Sequence, residues 1–132
     1  MLIGSQVNLF ADDVEPAVAF YGALGFEERY RSPAHGAPLH VELFGGGLTV
    51  GISSVRAALE EHGVEVSAEG AAVEIALWCD DAVAAYAAAL GAGAAPLRAP
   101  YESQGGRLII GRVLDPLGNP LAFIEERDVA SD

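Results

Sequence analysis

Two stretches of this chain are variants of one another. Residues 7–25 read VNLFADDVEPAVAFYGALG, and residues 75–91 read IALWCDDAVAAYAAALG. In each, a short apolar run meets an aspartate pair, then an alanine-containing helical segment closes at Leu-Gly. Leu9 and Phe10 recur as Leu77 and Trp78, Asp12 and Asp13 as Asp80 and Asp81, and Leu24 and Gly25 as Leu90 and Gly91. On this alignment the second helix is shorter than the first by two residues. A repeat of about half the chain implies two duplicated modules, because solenoid repeats are shorter and more numerous.

The remaining segments fill in each module. The aspartates supply a helix start, Pro16 fits the first turn and Gly25 supplies a stop. A strand is expected near 26–31. PLHVELFG and LTVGIS flank Gly45, Gly46 and Gly47, the pattern of a hairpin. The stretch SVRAALEEHGVEVSAEGA, residues 54–71, begins with helical character and turns polar, so it reads as a connector with room for a short helix. Strands near 97–102, 107–114 and 119–126 complete the second half, with DPLGN as the turn between the last two. The sum is an α+β fold of two βαβββ modules in a single domain over 1–132. Module one covers about 1–53, the connector about 54–71 and module two about 72–128.

Composition removes several function classes. The chain is 132 residues long, 52% hydrophobic and 20% charged, which suits a folded domain. Asp and Glu number 19 against 7 Lys and Arg, a net charge of −12. Nucleic-acid binding needs a basic footprint, and none is present. The acidity serves solubility, or attracts a cationic small molecule. MLIGSQVNLF has no basic segment followed by a long apolar one, and no apolar run reaches the roughly 18 residues of a membrane span. No membrane association is expected, and a cytoplasmic location is. Cys79 is the only cysteine. It sits in the apolar run IALWC and reads as a buried structural thiol.

FYGALGF in the first helix and DPLGNPLAFIE near the end, together with the doubled strand-Asp-helix pattern, resemble the vicinal oxygen chelate superfamily. That superfamily includes glyoxalase I, bleomycin-resistance proteins and extradiol dioxygenases. The resemblance spans nearly the whole chain. It implies curled mixed sheets enclosing a cavity, with helices outside, and a homodimer. Period-two alternation puts Val7, Leu9, Ile75 and Leu77 on the helix side. Gln6, Asn8, Phe10, Glu74, Ala76 and Trp78 are left facing the cavity.

Metal-using members draw ligands from the first strand and a late strand of each module. Carried onto this sequence, those positions are Gln6, then Thr49, Gly51 or Ser53, then Glu74, then Ala122. Alanine cannot coordinate, and a divalent catalytic site needs several His or carboxylate ligands converging on one point. The resemblance therefore implies no metal and no other cofactor. Glu125 lies on the opposite phase of the strand and cannot replace the missing ligand without a register shift.

Other side chains carry possible chemistry. His40, Glu42 and Phe44 alternate with Leu39, Val41 and Leu43, so His40 and Glu42 share a strand face as an acid/base pair or as a solvated strand end. His35 and His62 fall in loop-like segments. Glu74 interrupts AAVEIALW, and a buried carboxylate there would need a partner such as Arg112 or a ligand's cationic group. Phe10 and Trp78 offer aromatic faces for a planar or cationic ligand, or simply core. Tyr101 lies in APYESQGG, a stretch expected to form part of a cavity rim. The leading expectation is a metal-independent protein binding a small organic molecule, with antibiotics and cationic compounds among the candidates, through Gln6, Asn8, Phe10, Glu74, Trp78 and Tyr101. The alternative is a glyoxalase-like lyase or isomerase that uses a divalent metal, with Glu74 as base or ligand and His40 assisting.

Overall fold

A computed structural model describes residues 6–62, 66 and 73–128. The chain divides into two compact units, Met1–Gly70 and Ala71–Asp132. In order, the elements are β1 (Val7–Ala11), α1 (Val14–Ala23), β2 (Glu27–Ser32), β3 (His40–Gly45), β4 (Leu48–Ser54), α2 (Val55–His62), β5 (Ile75–Trp78), α3 (Ala82–Gly91), β6 (Ala95–Ser103), β7 (Leu108–Leu114) and β8 (Pro120–Glu126). The expected βαβββ order holds in both halves. Alternation over residues 3–10 predicts the first strand, and residues 3–5 of it lie outside the described residues.

Each unit carries one four-stranded mixed sheet, ordered β1-β4-β3-β2 in the first and β5-β8-β7-β6 in the second. Neither closes on itself. The first strand of each unit pairs parallel to the last, and the other pairs are antiparallel. Parallel neighbours cannot be joined by a tight turn, which is why a helix and two strands intervene between them.

Alternation sets the packing. In the first unit Leu9, Val41, Leu43, Val50 and Ile52 are almost wholly buried, as are Val14, Ala17, Phe20 and Tyr21 of α1. Tyr21 meets Phe20 and Phe26 edge-on, with ring centroids 5.1 and 5.5 Å away. Each of these large side chains contributes on the order of 2–3 kcal/mol by leaving water. Helix α2 packs on β4. It is begun by Ser54, whose Oγ accepts from the Ala57 N–H at 3.1 Å.

The turns follow their residues. Gly46 and Gly47 have φ of 58° and 80° and form the two-residue turn between β3 and β4, a conformation that favours glycine twice over. Asp81 caps α3 by accepting from the Ala84 N–H at 3.0 Å, whereas Asp13, its equivalent before α1, makes no such bond.

The helix ends require one correction to the repeat. Helix α1 ends at the left-handed Gly25, with Phe26 N donating to Tyr21 O and Gly25 N to Gly22 O. Helix α3 has the same ending at Gly93, with Ala94 N donating to Ala89 O and Gly93 N to Leu90 O. Gly91 lies inside α3, and both helices have 10 residues. The Leu-Gly likeness is therefore off by one half-turn: Gly25 corresponds to Gly93, at the spacing that relates Asp13 to Asp81.

DPLGN is a turn built around one buried carboxylate. Asp115, 3% exposed, accepts from the backbone N–H groups of Leu117 (2.9 Å) and Asn119 (2.8 Å) and from the Asn119 side chain (3.3 Å). Gly118 N closes the turn on Asp115 O at 2.9 Å. Replacing Asp115 with Ala leaves these buried donors unpaired and should cost about 1–3 kcal/mol. Asp115→Asn keeps one acceptor oxygen and should cost less. Urea unfolding of the two variants checks both the size and the order.

Among the described residues, no helix is long and apolar enough to cross a membrane.

Candidate functional site

The inner strand of each sheet decides what meets across it. In the first unit β4 lies between β1 and β3, and Gly51 is level with Asn8 on one side and Glu42 on the other. One step along the same face, Ser53 is level with Phe10 and His40. This face, opposite the buried apolar residues, carries Gln6, Asn8, Phe10, His40, Glu42 and Ser53. Asn8 and Gln6 are exposed, and the others are half-buried.

These side chains form a connected set. His40 Nδ1 lies 2.6 Å from Ser53 Oγ, and His40 Nε2 lies 2.9 Å from Glu42 Oε2. Gln6 Nε2 donates to Asn8 Oδ1 at 2.8 Å. Gly51 makes the approach possible, because a Cβ there would overlap Asn8 Oδ1 and stand 3.0 Å from both Gln6 Nε2 and His40 Cε1. His40 is thus held on both ring nitrogens, not a freely solvated strand-end histidine. His35 lies in an exposed bend. The side chain of His62 lies outside the described residues.

The second unit repeats the layout with different chemistry. Ala122 on β8 is level with Ala76 on β5 and Arg112 on β7, so it occupies the place that Gly51 holds in the first unit. Arg112 stands where Glu42 stands. Across Ala122, Arg112 Nε donates to Glu74 Oε2 at 3.3 Å, and Arg112 Nη1 donates to Tyr101 Oη at 2.5 Å. Tyr101 and, with it, Glu74 hold the Arg112 proton more firmly than usual, against an opposing effect of burial. Arg98 stacks on Tyr101, its guanidinium carbon 3.5 Å from the ring centre.

Glu74 departs from the sequence reading in its burial. It precedes the first residue of β5, and its side chain is 41% exposed. The partnership with Arg112, one of the alternatives read from the sequence, is present. Trp78 is 63% exposed, and its indole N–H donates to Glu126 Oε1 at 3.0 Å. It is therefore not a core residue of its own module. Burial pushes the Cys79 thiol pKa up, and Sγ points to Ile124 O at 3.7 Å, the environment of an inert thiol.

A cleft of about 400 Å³ in the second unit is lined by Asp80, Asp81, Tyr101, Glu102, Glu125 and Arg127, among others. Most of its charges serve one another. Glu125 accepts from Ala82 N–H, Asp81 caps α3, and Arg127 pairs with Glu102 and Glu125.

A model of the Glyoxalase/Bleomycin resistance protein/Dioxygenase superfamily matches residues 5–123. The chain belongs to this superfamily. No curated protein matches it. Among solved structures, a glyoxalase/bleomycin resistance protein/dioxygenase family enzyme from Burkholderia phytofirmans is 26% identical, with a TM-score of 0.76 over 93% of this chain and 98% of that one. A hypothetical protein from S. aureus is 23% identical, with a TM-score of 0.78 over 95% and 94%. A bleomycin resistance determinant encoded on the transposon Tn5 is 20% identical, with a TM-score of 0.65 over 96% and 100%.

The metal used by some members does not fit the residues present. The two late-strand positions are Gly51 and Ala122, which carry no donor. Glu74 is bonded to a guanidinium, so a cation brought to it would meet a fixed positive charge. Among the described residues, no three His, Cys, Asp or Glu side chains converge.

Gly51 supplies a test of this geometry. An interior strand glycine changed to alanine ordinarily gains about 0.5–1 kcal/mol. Here the new methyl displaces the side-chain ends of Asn8, Gln6 and His40, so Gly51→Ala should gain less than that or nothing, read from the urea midpoint.

Proposed function

We propose that the chain is a metal-independent protein that binds a small organic molecule on the open sheet faces of its modules. The observation that carries this reading is the Glu74–Arg112 pair lying over Ala122. At the place where metal-using relatives keep a glutamate, this chain has a methyl group, and a built-in guanidinium stands beside the remaining carboxylate. Phe10 on one face and Trp78 on the other supply aromatic surface, while Gln6, Asn8 and Tyr101 supply polar contacts.

The charge pattern supports two kinds of ligand. The net charge of −12 favours approach of a cation. The donors of Arg112 and the stacked Arg98 favour an acidic group at the second face. A zwitterionic or planar aromatic molecule satisfies both, and the likeness to a bleomycin resistance determinant makes antibiotics the first panel to try.

Trp78 is the single tryptophan, so intrinsic fluorescence reports on its face alone. Titration with planar and cationic antibiotics and with aromatic carboxylates should give at least one ligand of micromolar or tighter Kd that changes this fluorescence. At 100 times Kd, that ligand should stabilise the fold by about 2.7 kcal/mol. Zinc, nickel and iron should leave the melting temperature unchanged. Silence across the panel, or stoichiometric metal retained after purification without chelator, overturns the reading.

Strands β1, β2, β5 and β6 are the outer strands of their sheets. Unpaired edges of this kind support assembly of two chains. Sedimentation at micromolar concentration should give a dimer, and a monomer there refutes the pairing.

A further inference from the structure

The hydrogen-bond chain Glu42–His40–Ser53 carries a chemistry that retention of a ligand does not need. A carboxylate only accepts, so the 2.9 Å contact places the imidazole proton on His40 Nε2. In the neutral imidazole Nδ1 then keeps a lone pair, to which Ser53 Oγ, 2.6 Å away, donates its hydrogen. A hydroxyl bonded to an imidazole whose other nitrogen is fixed by a carboxylate is the arrangement of an activated nucleophile. The two ring nitrogens are used in the opposite sense to those of a serine-protease triad, but the proton path is the same. The histidine and glutamate side chains are 29% and 33% exposed, so the group is shielded without being sealed.

The polar side chains beside His40 bear on the same chemistry. Gly51, having no Cβ, lets the side-chain ends of Asn8 and Gln6 come to the place beside His40 Cε1. Gln6 Nε2 donates one N–H to Asn8 Oδ1, and its second N–H and the Asn8 amide, both on exposed side chains, are the donors within reach of the oxygen charge of a tetrahedral intermediate.

We propose that Ser53 is an acylatable nucleophile and that module one has esterase activity toward small activated carboxylic esters. Ser53 Oγ adds to the ester carbonyl as its proton passes to His40 Nδ1. The bond to the leaving oxygen breaks, and that oxygen takes the proton and departs as the alcohol. Water then adds to the acyl-serine, His40 again relays the proton, and the carboxylic acid leaves with Ser53 restored. Glu42 touches neither substrate nor Ser53. It is a positioning residue that holds the imidazole in the reactive tautomer.

The test uses the full chain with two probes, p-nitrophenyl acetate and an alkyl fluorophosphonate that loses fluoride on adding to a serine. The expected result is a burst of p-nitrophenol and a single phosphonate adduct mapped to Ser53. Ser53→Ala should lose both. His40→Gln should slow the adduct by about 100-fold or more, and Glu42→Gln should lower kcat with KM unchanged. No adduct on Ser53 overturns the proposal, as does an adduct formed at the wild-type rate in His40→Gln or turnover retained in Ser53→Ala. Should His40→Gln fail to fold, adduct mapping on the unaltered chain and the Ser53→Ala result still decide. The ligand titration can be repeated on Ser53→Ala, so failure here leaves the binding reading standing.

Discussion

Each module depends on the parallel pair between its first and last strands. Because β4 and β8 are gripped on both sides, their small residues are places where side chains from two neighbouring strands can meet overhead. Gly51 lets Asn8 and Gln6 approach His40. Ala122 lets Arg112 reach Glu74. The helix face of the first sheet, filled by Leu9, Val41, Leu43, Val50 and Ile52, fixes this arrangement, since a slip of one residue would turn every polar side chain into the core.

One skeleton therefore carries two kinds of chemistry. Where the first face holds Glu42, bonded to His40, the second holds Arg112, bonded to Glu74 and Tyr101. A metal site needs several anionic or imidazole donors to face one point without a competing cation. Among the described residues neither face brings three His, Cys, Asp or Glu side chains together. The first has Gly51 where a late-strand donor would stand, and the second has Arg112 as its internal cation.

Much of this was legible in the sequence, because local signals decided it. Glycines at 46 and 47 admit the positive φ of a hairpin, Asp115 through Asn119 spell a turn, and the aspartate pairs mark the helix starts. Alternation grouped Asn8 with Phe10 and His40 with Glu42, and the register of the inner strand sets the two pairs side by side. What sequence reasoning missed depends on which strands become neighbours. Ser53 stood only as a weak metal donor until register placed it against His40. Gly91 drew attention from Gly93 because Leu-Gly repeats as a word, whereas a helix ends where the next residues can complete its last hydrogen bonds. Glu74 looked buried in an apolar run, yet the strand begins one residue after it.

The matched endings at Gly25 and Gly93 reach beyond the helices they close. From the aspartate before each helix to the glycine after it, the two halves have diverged without gaining or losing a residue. Over the helix and the inner strand the difference between them is written in side chains, while the outer strands differ in backbone as well, with one register shift in β2 and two in β6. Glu42, Gly51 and Asn8 stand level in the first unit as Arg112, Ala122 and Ala76 do in the second. Three neighbouring positions on three strands thus set the character of each face while leaving the strand pairing of either sheet as it is.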